Sequence, residues 1–304
     1  MDEARRGLLR LLAGMGAALA LGPASGQATK IMTRKIPSTG EEIAAVGLGT
    51  WQVFDAGADP AARAPLREVI AEFAKAGGRV IDSSPMYGSA ESVAGDLVAE
   101  LGLREKLFVA TKVWTRGRDD GIAQMETSFR RLKVRQMDLM QIHNLLDADV
   151  HTKTLLDWKS KNRIRYLGIT HYTASAHAEV ERQLKKEKYD FLQINYSLAE
   201  RESERRLLPY CAQNRIAVIA NRPFAEGAMF RRVRGKPLPP WAAEMGMASW
   251  AQYFLKWIVG HPAVTCVIPG TGRPEHVADN VAAGFGKLPD EGMRRKMADY
   301  YDSL

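Results

Sequence analysis

Beyond residue 28 the chain alternates short apolar, β-branched runs with longer amphipathic stretches. The runs begin near Val46, Val80, Leu107, Met137, Ile164, Phe191, Ala217 and Thr265. Between them, segments such as Leu66 to Ala76, Ala123 to Val134, Ser175 to Lys188 and Glu204 to Asn214 repeat apolar positions at helical spacing. Run starts lie about 30 residues apart, the length of one βα unit, until a longer final gap. Eight such units predict an α/β protein with a single (β/α)₈ barrel, a TIM barrel, over residues 29–304. The rival is an open doubly wound sheet, which usually starts on a three-glycine phosphate loop. Gly47-Leu48-Gly49-Thr50 lacks the third glycine, so the barrel is preferred. The long gap before the eighth run holds Arg231, Arg232, Arg234, Lys236, Pro237, Pro239 and Pro240, which predicts an irregular loop.

The first 28 residues follow a different pattern. Ala4-Arg5-Arg6-Gly7-Leu8-Leu9-Arg10 precedes an uncharged stretch from Leu11 to Thr29. Its apolar part, Leu11 to Leu21, is short of the ~20 residues that span a bilayer. A charged start, a short apolar middle and a small-residue exit describe a secretory signal. The paired Arg5-Arg6 points to the twin-arginine export machinery, with cleavage after Ala24 or Ala28 and a periplasmic mature protein. An amphipathic helix packed on the domain is the alternative, but no polar face alternates with the apolar residues.

Composition changes the picture mainly by exclusion. Hydrophobic content of 46% and charged content of 26% are those of a globular chain, which removes disorder. Two cysteines, Cys211 and Cys266, rule out a disulfide scaffold and a four-cysteine zinc site. The histidines show no paired spacing with a carboxylate on one helix, so no metal is expected. The net charge of +8 raises nucleic acid as a partner. Its concentration at Arg231 to Lys236 and Arg273 suits the phosphates of a dinucleotide better.

Barrel chemistry sits where strands end. The second run delivers Asp82, with Tyr87 five residues on; the third delivers Lys112; the fourth delivers His143. Singly, these read as a turn former, a turn aromatic, a rim charge and a buried histidine. Together they form a proton-transfer set. A free tyrosine, with a pKa of about 10, donates poorly near neutrality. A neighbouring ammonium is expected to lower that pKa, and a carboxylate holds the ammonium in place. A histidine can then orient the substrate oxygen or help to pass the proton. Such a set serves hydride delivery to a carbonyl, yielding an alcohol, or the reverse. Trp51, Trp114 and Asn144 also follow strand ends and are the substrate-wall candidates, favouring apolar or aromatic carbonyl compounds. Two other functions use the same residues: Schiff-base chemistry on Lys112, and a cofactor-binding sensor with little turnover.

The chain resembles the aldo-keto reductase superfamily from about Ile36 to Ala283. The residues that carry the likeness are Gly47-Leu48-Gly49-Thr50-Trp51, Ile81-Asp82-Ser83-Ser84-Pro85-Met86-Tyr87-Gly88 with Glu91, Ala110-Thr111-Lys112-Val113-Trp114 and Met137 to His143. Gly168-Ile169-Thr170, Gln193-Ile194-Asn195-Tyr196 and Val267-Ile268-Pro269-Gly270-Thr271 continue it. The resemblance implies Tyr87 as proton donor, Lys112 and Asp82 as its tuning pair, and His143 as substrate orienter. It implies NADP(H), with NAD open, along Gly49, Thr50, Trp51, Asp82, Thr170, His171, Gln193, Asn221, Arg222, Pro223, Phe224, Gly270, Thr271, Arg273, His276 and Asn280. The pattern also departs from the family. His171 replaces a usual asparagine, and Asn221 stands where many members stack an aromatic ring on the nicotinamide. Gly270 and His276 replace a frequent lysine and arginine that touch the 2′-phosphate, and Arg273 is the nearby substitute.

Overall fold

The structure, a computed structural model, describes residues 30–304. The signal segment assigned above to residues 1–28 lies outside the described residues. The described chain opens with an antiparallel hairpin, β1 (Thr33–Lys35) and β2 (Glu42–Ala44). Eight parallel strands follow: β3 (Leu48–Gly49), β4 (Val80–Asp82), β5 (Phe108–Val113), β6 (Met137–His143), β7 (Ile164–Thr170), β8 (Phe191–Asn195), β9 (Ala217–Asn221) and β10 (Val264–Val267). They pair in sequence order. Parallel bridges from Val46 to Val267 and from Gly49 to Gly270 join the first strand to the last. The apolar runs of the sequence are these eight strands, and the (β/α)₈ barrel is the fold.

The helices are α1 (Pro60–Lys75), α2 (Ala90–Glu100), α3 (Arg118–Leu132), α4 (Ala148–Ser160), α5 (His177–Lys186), α6 (Leu207–Gln213), α7 (Ala228–Arg232), α8 (Trp250–Val259), α9 (Pro274–Ala282) and α10 (Glu291–Ser303). Their starts are written in local chemistry. Asp59 accepts from Ala61 N–H at 2.9 Å with Pro60 in first position, and Asp290 accepts from Met293 N–H at 2.8 Å. The expected irregular loop before the last strand is partly ordered. α7 takes up Arg231 and Arg232, and a 3₁₀ turn covers Pro240–Met245. Arg232 donates to the Asp302 carbonyl and lies over the Tyr301 ring, while Lys236 bonds the Leu304 carbonyl. Two of that segment's cations are thus engaged with α10.

Side chains alternate along each strand, so every second residue faces the lumen. Val80, Phe108, Ala110, Leu139, Tyr166, Phe191, Ala217, Ile219 and Cys266 form a separate apolar cluster there, closed below by Ile36 and Ile43 of the hairpin region. The hairpin had no strong strand pattern, because its residues are largely charged. Glu41 fixes it to the barrel by pairing with Arg165 and accepting from Tyr166 Oη at 2.5 Å. Cys211 and Cys266 are buried free thiols, pushed up by burial. Among the described residues no cluster of His, Cys, Asp or Glu is placed to hold a metal, and no helix is long and apolar enough to cross a membrane.

Candidate active site

The lumen alternation that stacks apolar layers below turns polar at the top. Two residues beyond Val80 is Asp82; beyond Ala110 is Lys112; beyond Leu139 come Gln141 and His143. Thr170, Gln193 and Asn221 continue the polar layer around the rim. Gly168 makes room for it, since a Cβ there would meet Gln141 Cγ at 3.1 Å and Phe191 Cβ at 3.1 Å. A cavity of about 830 Å³ lies at the opposite end, between Arg79, Arg104, Lys106, Asp138 and Arg165. It holds none of the proton-transfer residues.

Lys112 and Asp82 are an ion pair closed to water: Nζ to Oδ2 is 2.6 Å, with the side chains 0% and 3% exposed. The ammonium also donates to the Ser83 carbonyl at 2.7 Å. Asp82 Oδ1 accepts from Gln193 Nε2 at 2.8 Å and from Gln141 Nε2 at 3.1 Å. The Thr50 hydroxyl braces the same segment, 3.1 Å from the Asp82 carbonyl and 2.9 Å from Ser83 Oγ. Burial alone would drive the proton off Lys112, yet Asp82 and Tyr87 outweigh it and the Lys112 pKa is raised. Enclosed and held charged by Asp82, the amine is a poor nucleophile, which argues against the Schiff-base alternative.

Tyr87 rides on a turn in which its N–H donates to the Ser84 carbonyl at 3.0 Å. Its ring centre lies 5.0 Å from Lys112 Nζ. The expectation that the lysine brings the phenol pKa down is corrected here. Burial raises it and Asp82 adds to the rise, and the pull of Lys112 does not cancel them. The phenol therefore holds its proton at neutral pH. His143 is held down to about 2 by burial, then by the charge of Lys112 and by His171. It is a neutral imidazole throughout the physiological range. Its ring lies edge-on to Tyr87, centroids 5.9 Å apart, and 6.4 Å from Trp114. Tyr87, His143, Lys112 and Asp82, supplied by three successive strand ends, form one cluster.

The sequence pattern of the Aldo/keto reductase family matches residues 45–297. The chain belongs to that family. It is 29% identical over 247 residues to methylglyoxal reductase YeaE of Escherichia coli (strain K12), covering 79% of this chain and 85% of that one. To an NADH-specific methylglyoxal reductase of the same organism it is 25% identical, over 88% and 98% of the two chains. An aldo/keto reductase from Klebsiella pneumoniae, solved with NADP and acetate, superposes with a TM-score of 0.73 at 26% identity, covering 86% of this chain and 93% of that one. The protein is accordingly an NAD(P)H-dependent oxidoreductase that reduces carbonyl groups.

In this reductase the rim suits the polar end of a nicotinamide dinucleotide. Asn221 gives Nδ2 to the His171 carbonyl at 3.1 Å, and its buried Oδ1 has no partner among the described residues. An unpaired amide oxygen beside Thr170 and Gln193 is matched by the N–H groups of a carboxamide. Arg273, exposed at the amino end of α9, makes no side-chain hydrogen bond or ion pair among the described residues. It is therefore free for a phosphate. His276 is exposed on the same turn, its Nδ1 3.4 Å from Thr271 Oγ1, and Asn280 is buried. Gly49 and Gly270 meet across the barrel seam. Other proposed contacts have partners already. Arg222 is ion-paired with Glu200 and Glu226, Pro223 is buried, and Phe224 packs at a tilt against Phe230 with centroids 4.8 Å apart. The amide nitrogen of Gln193 is turned towards Asp82.

The mouth is wider in aromatics than the sequence reading allowed. Trp51 and Trp114 are 41% and 40% exposed, and Met86 and Tyr172 join them at 38% and 47%. Tyr172 stacks on His171 at 5.6 Å. Asn144 follows His143 in a left-handed turn with φ of 53°, its buried Oδ1 unpaired. Gln141, Ser83 and Ser84 also escaped the sequence reading. Gln141 had a signal: two residues before His143 on one strand, it faces the same side.

Proposed function

We propose that this reductase converts small aldehydes, 2-oxoaldehydes and aromatic aldehydes among them, to alcohols, and that NADPH is its preferred reductant. The observation that carries the reading is the enclosed cluster of Tyr87, His143, Lys112 and Asp82. When bound, the reduced nicotinamide supplies the hydride. Everything else falls to the chain. His143, neutral, presents a ring N–H to the carbonyl oxygen and fixes its direction. Tyr87, kept protonated by burial, gives its proton to that oxygen as negative charge develops. Lys112, a fixed cation beside the phenol, stabilises the phenolate left behind, and Asp82 with its two amide donors keeps Lys112 in register. Trp51, Met86, Trp114 and Tyr172 exclude water and offer flat apolar surface to the substrate's far end. The methylglyoxal reductases among its relatives support the small-aldehyde class.

The test is loss of reduced-nicotinamide absorbance with methylglyoxal and with benzaldehyde, for wild type and Tyr87→Phe. We expect turnover with both aldehydes, and a fall on the order of 10²–10⁴ in kcat for the variant, with cofactor affinity unchanged by fluorescence titration. Tight cofactor binding without turnover in the wild type would move the protein to the sensor class. We further propose that residues 1–28 direct twin-arginine export, so that the mature enzyme works in the periplasm on retained cofactor. The paired Arg5-Arg6 before a short apolar stretch supports this. An intact amino terminus in the cytosolic fraction would overturn it.

A further inference from the structure

His143 can polarise a carbonyl only if the proton of its neutral ring sits on the nitrogen that faces the mouth. A neutral imidazole has one N–H and one bare nitrogen, and the hydrogen bond made by one nitrogen decides the state of the other. His143 Nδ1 lies 2.9 Å from Ser84 Oγ, both residues being buried. Nε2 has no hydrogen-bond partner among the described residues.

The direction of the Ser84 bond follows from counting donors. Ser84 Oγ already accepts from the Met86 N–H at 3.4 Å, and its own hydrogen must go somewhere. At 0% exposure it is closed to bulk solvent. Among the described residues the one acceptor within reach of that hydroxyl is His143 Nδ1. Were Nδ1 to carry the proton instead, the serine hydrogen would be left buried and unpaired, which is costly. Pro85 follows Ser84 and brings no N–H of its own to compete. The Tyr87 and Trp114 rings near the imidazole meet it as aromatic faces and edges. Burial, and after it the field of Lys112, keeps the ring from taking a second proton.

We propose that Ser84 is a positioning residue that donates to Nδ1 of His143 and so locks the Nε2–H tautomer towards the substrate oxygen. This rests on the reading of His143 as the second donor to the carbonyl. Three consecutive residues then divide the work: the Asp82 carboxylate and the Ser83 carbonyl hold Lys112, and the Ser84 hydroxyl sets His143. The carbonyl of Ser84 also accepts from Tyr87 N–H, so one residue positions both proton donors.

Nitrogen-15 NMR of the histidine-labelled full chain reads the tautomer directly, with His143 assigned by its absence in His143→Gln. The wild type is expected to show a bare Nδ1 and a protonated Nε2. Ser84→Ala should move both shifts towards tautomer averaging and lower kcat/KM by about tenfold, with the cofactor Kd unchanged. Ser84→Thr, which keeps the hydroxyl, should restore both signals and rate. A protonated Nδ1 in the wild type, or shifts that stay put in Ser84→Ala, overturns the proposal. Because the NMR readout needs no turnover, that failure is separable from failure of the reductase reading, which Tyr87→Phe decides. If Ser84→Ala does not fold, the wild-type tautomer and Ser84→Thr still decide the matter.

Discussion

Replacing Lys112 by methionine keeps the stem and removes the charge. It leaves the Asp82 carboxylate, at 2% exposure, facing only the amides of Gln141 and Gln193. Removing one partner of a buried pair costs about 3–5 kcal/mol. The lower figure applies, because two amide donors remain. For a domain of this size about 3 kcal/mol corresponds to a drop in Tm of roughly 6–12 °C. Adding Asp82→Asn removes the orphaned charge, so the double variant should be more stable than Lys112→Met alone. Urea and thermal unfolding followed by circular dichroism, on wild type, both single variants and the double, provide the assay. Lys112→Met as stable as wild type, or a double variant that loses the full sum of the single losses, would refute the buried-pair argument.

Other consequences follow from the same geometry. The pKa of His143 is depressed to about 2 when folded against about 6.5 when unfolded, so acid favours unfolding. Its contribution falls by about 1.4 kcal/mol per pH unit below about 6.5, and His143→Gln should flatten the stability profile between about pH 6.5 and 4.5. Parallel profiles for the two proteins would contradict a buried neutral imidazole. Because burial raises Tyr87, the alkaline limb of kcat/KM should lie above the ordinary tyrosine value of about 10; a limb near neutrality would mean that Lys112 dominates after all. Arg273→Ala should weaken NADPH binding about tenfold or more and leave NADH unaffected, as measured by fluorescence titration. Equal losses for both cofactors would remove Arg273 from the 2′-phosphate.

The barrel was legible because each strand is a short β-branched run with a polar residue where it stops. Val80 to Asp82 and Met137 to His143 are lumen-facing alternations whose last members carry the chemistry. What could not be read depends on packing between distant residues. The sign of the Tyr87 shift is set by burial, which no local pattern reports, so the lowering pull of the visible lysine is outweighed. Arg222 looked available in sequence because Glu200, one of its partners, comes from another strand end. Thr50 looked like a rim residue until its hydroxyl was found turned to the Asp82 segment. The β1–β2 hairpin was missed because Lys35 and Glu42 break the apolar pattern, while only Ile36 and Ile43 reach the lumen.

The seam of the barrel sets the order of assembly. Val46 and Gly49, near the start of the described chain, find their partners in Val267 and Gly270, near its end. Met32 N–H likewise waits for the Gly284 carbonyl. A growing chain that lacks β10 carries seven parallel strands with two unpaired edges, and unpaired edges recruit other chains. Closure is a contact of long sequence separation, so it is slow and comes late. The catalytic strands β4 to β6 can pair without it, but their well is sealed only once β10 has been made. A chain cut short before Val264 is therefore an aggregation hazard rather than a smaller enzyme.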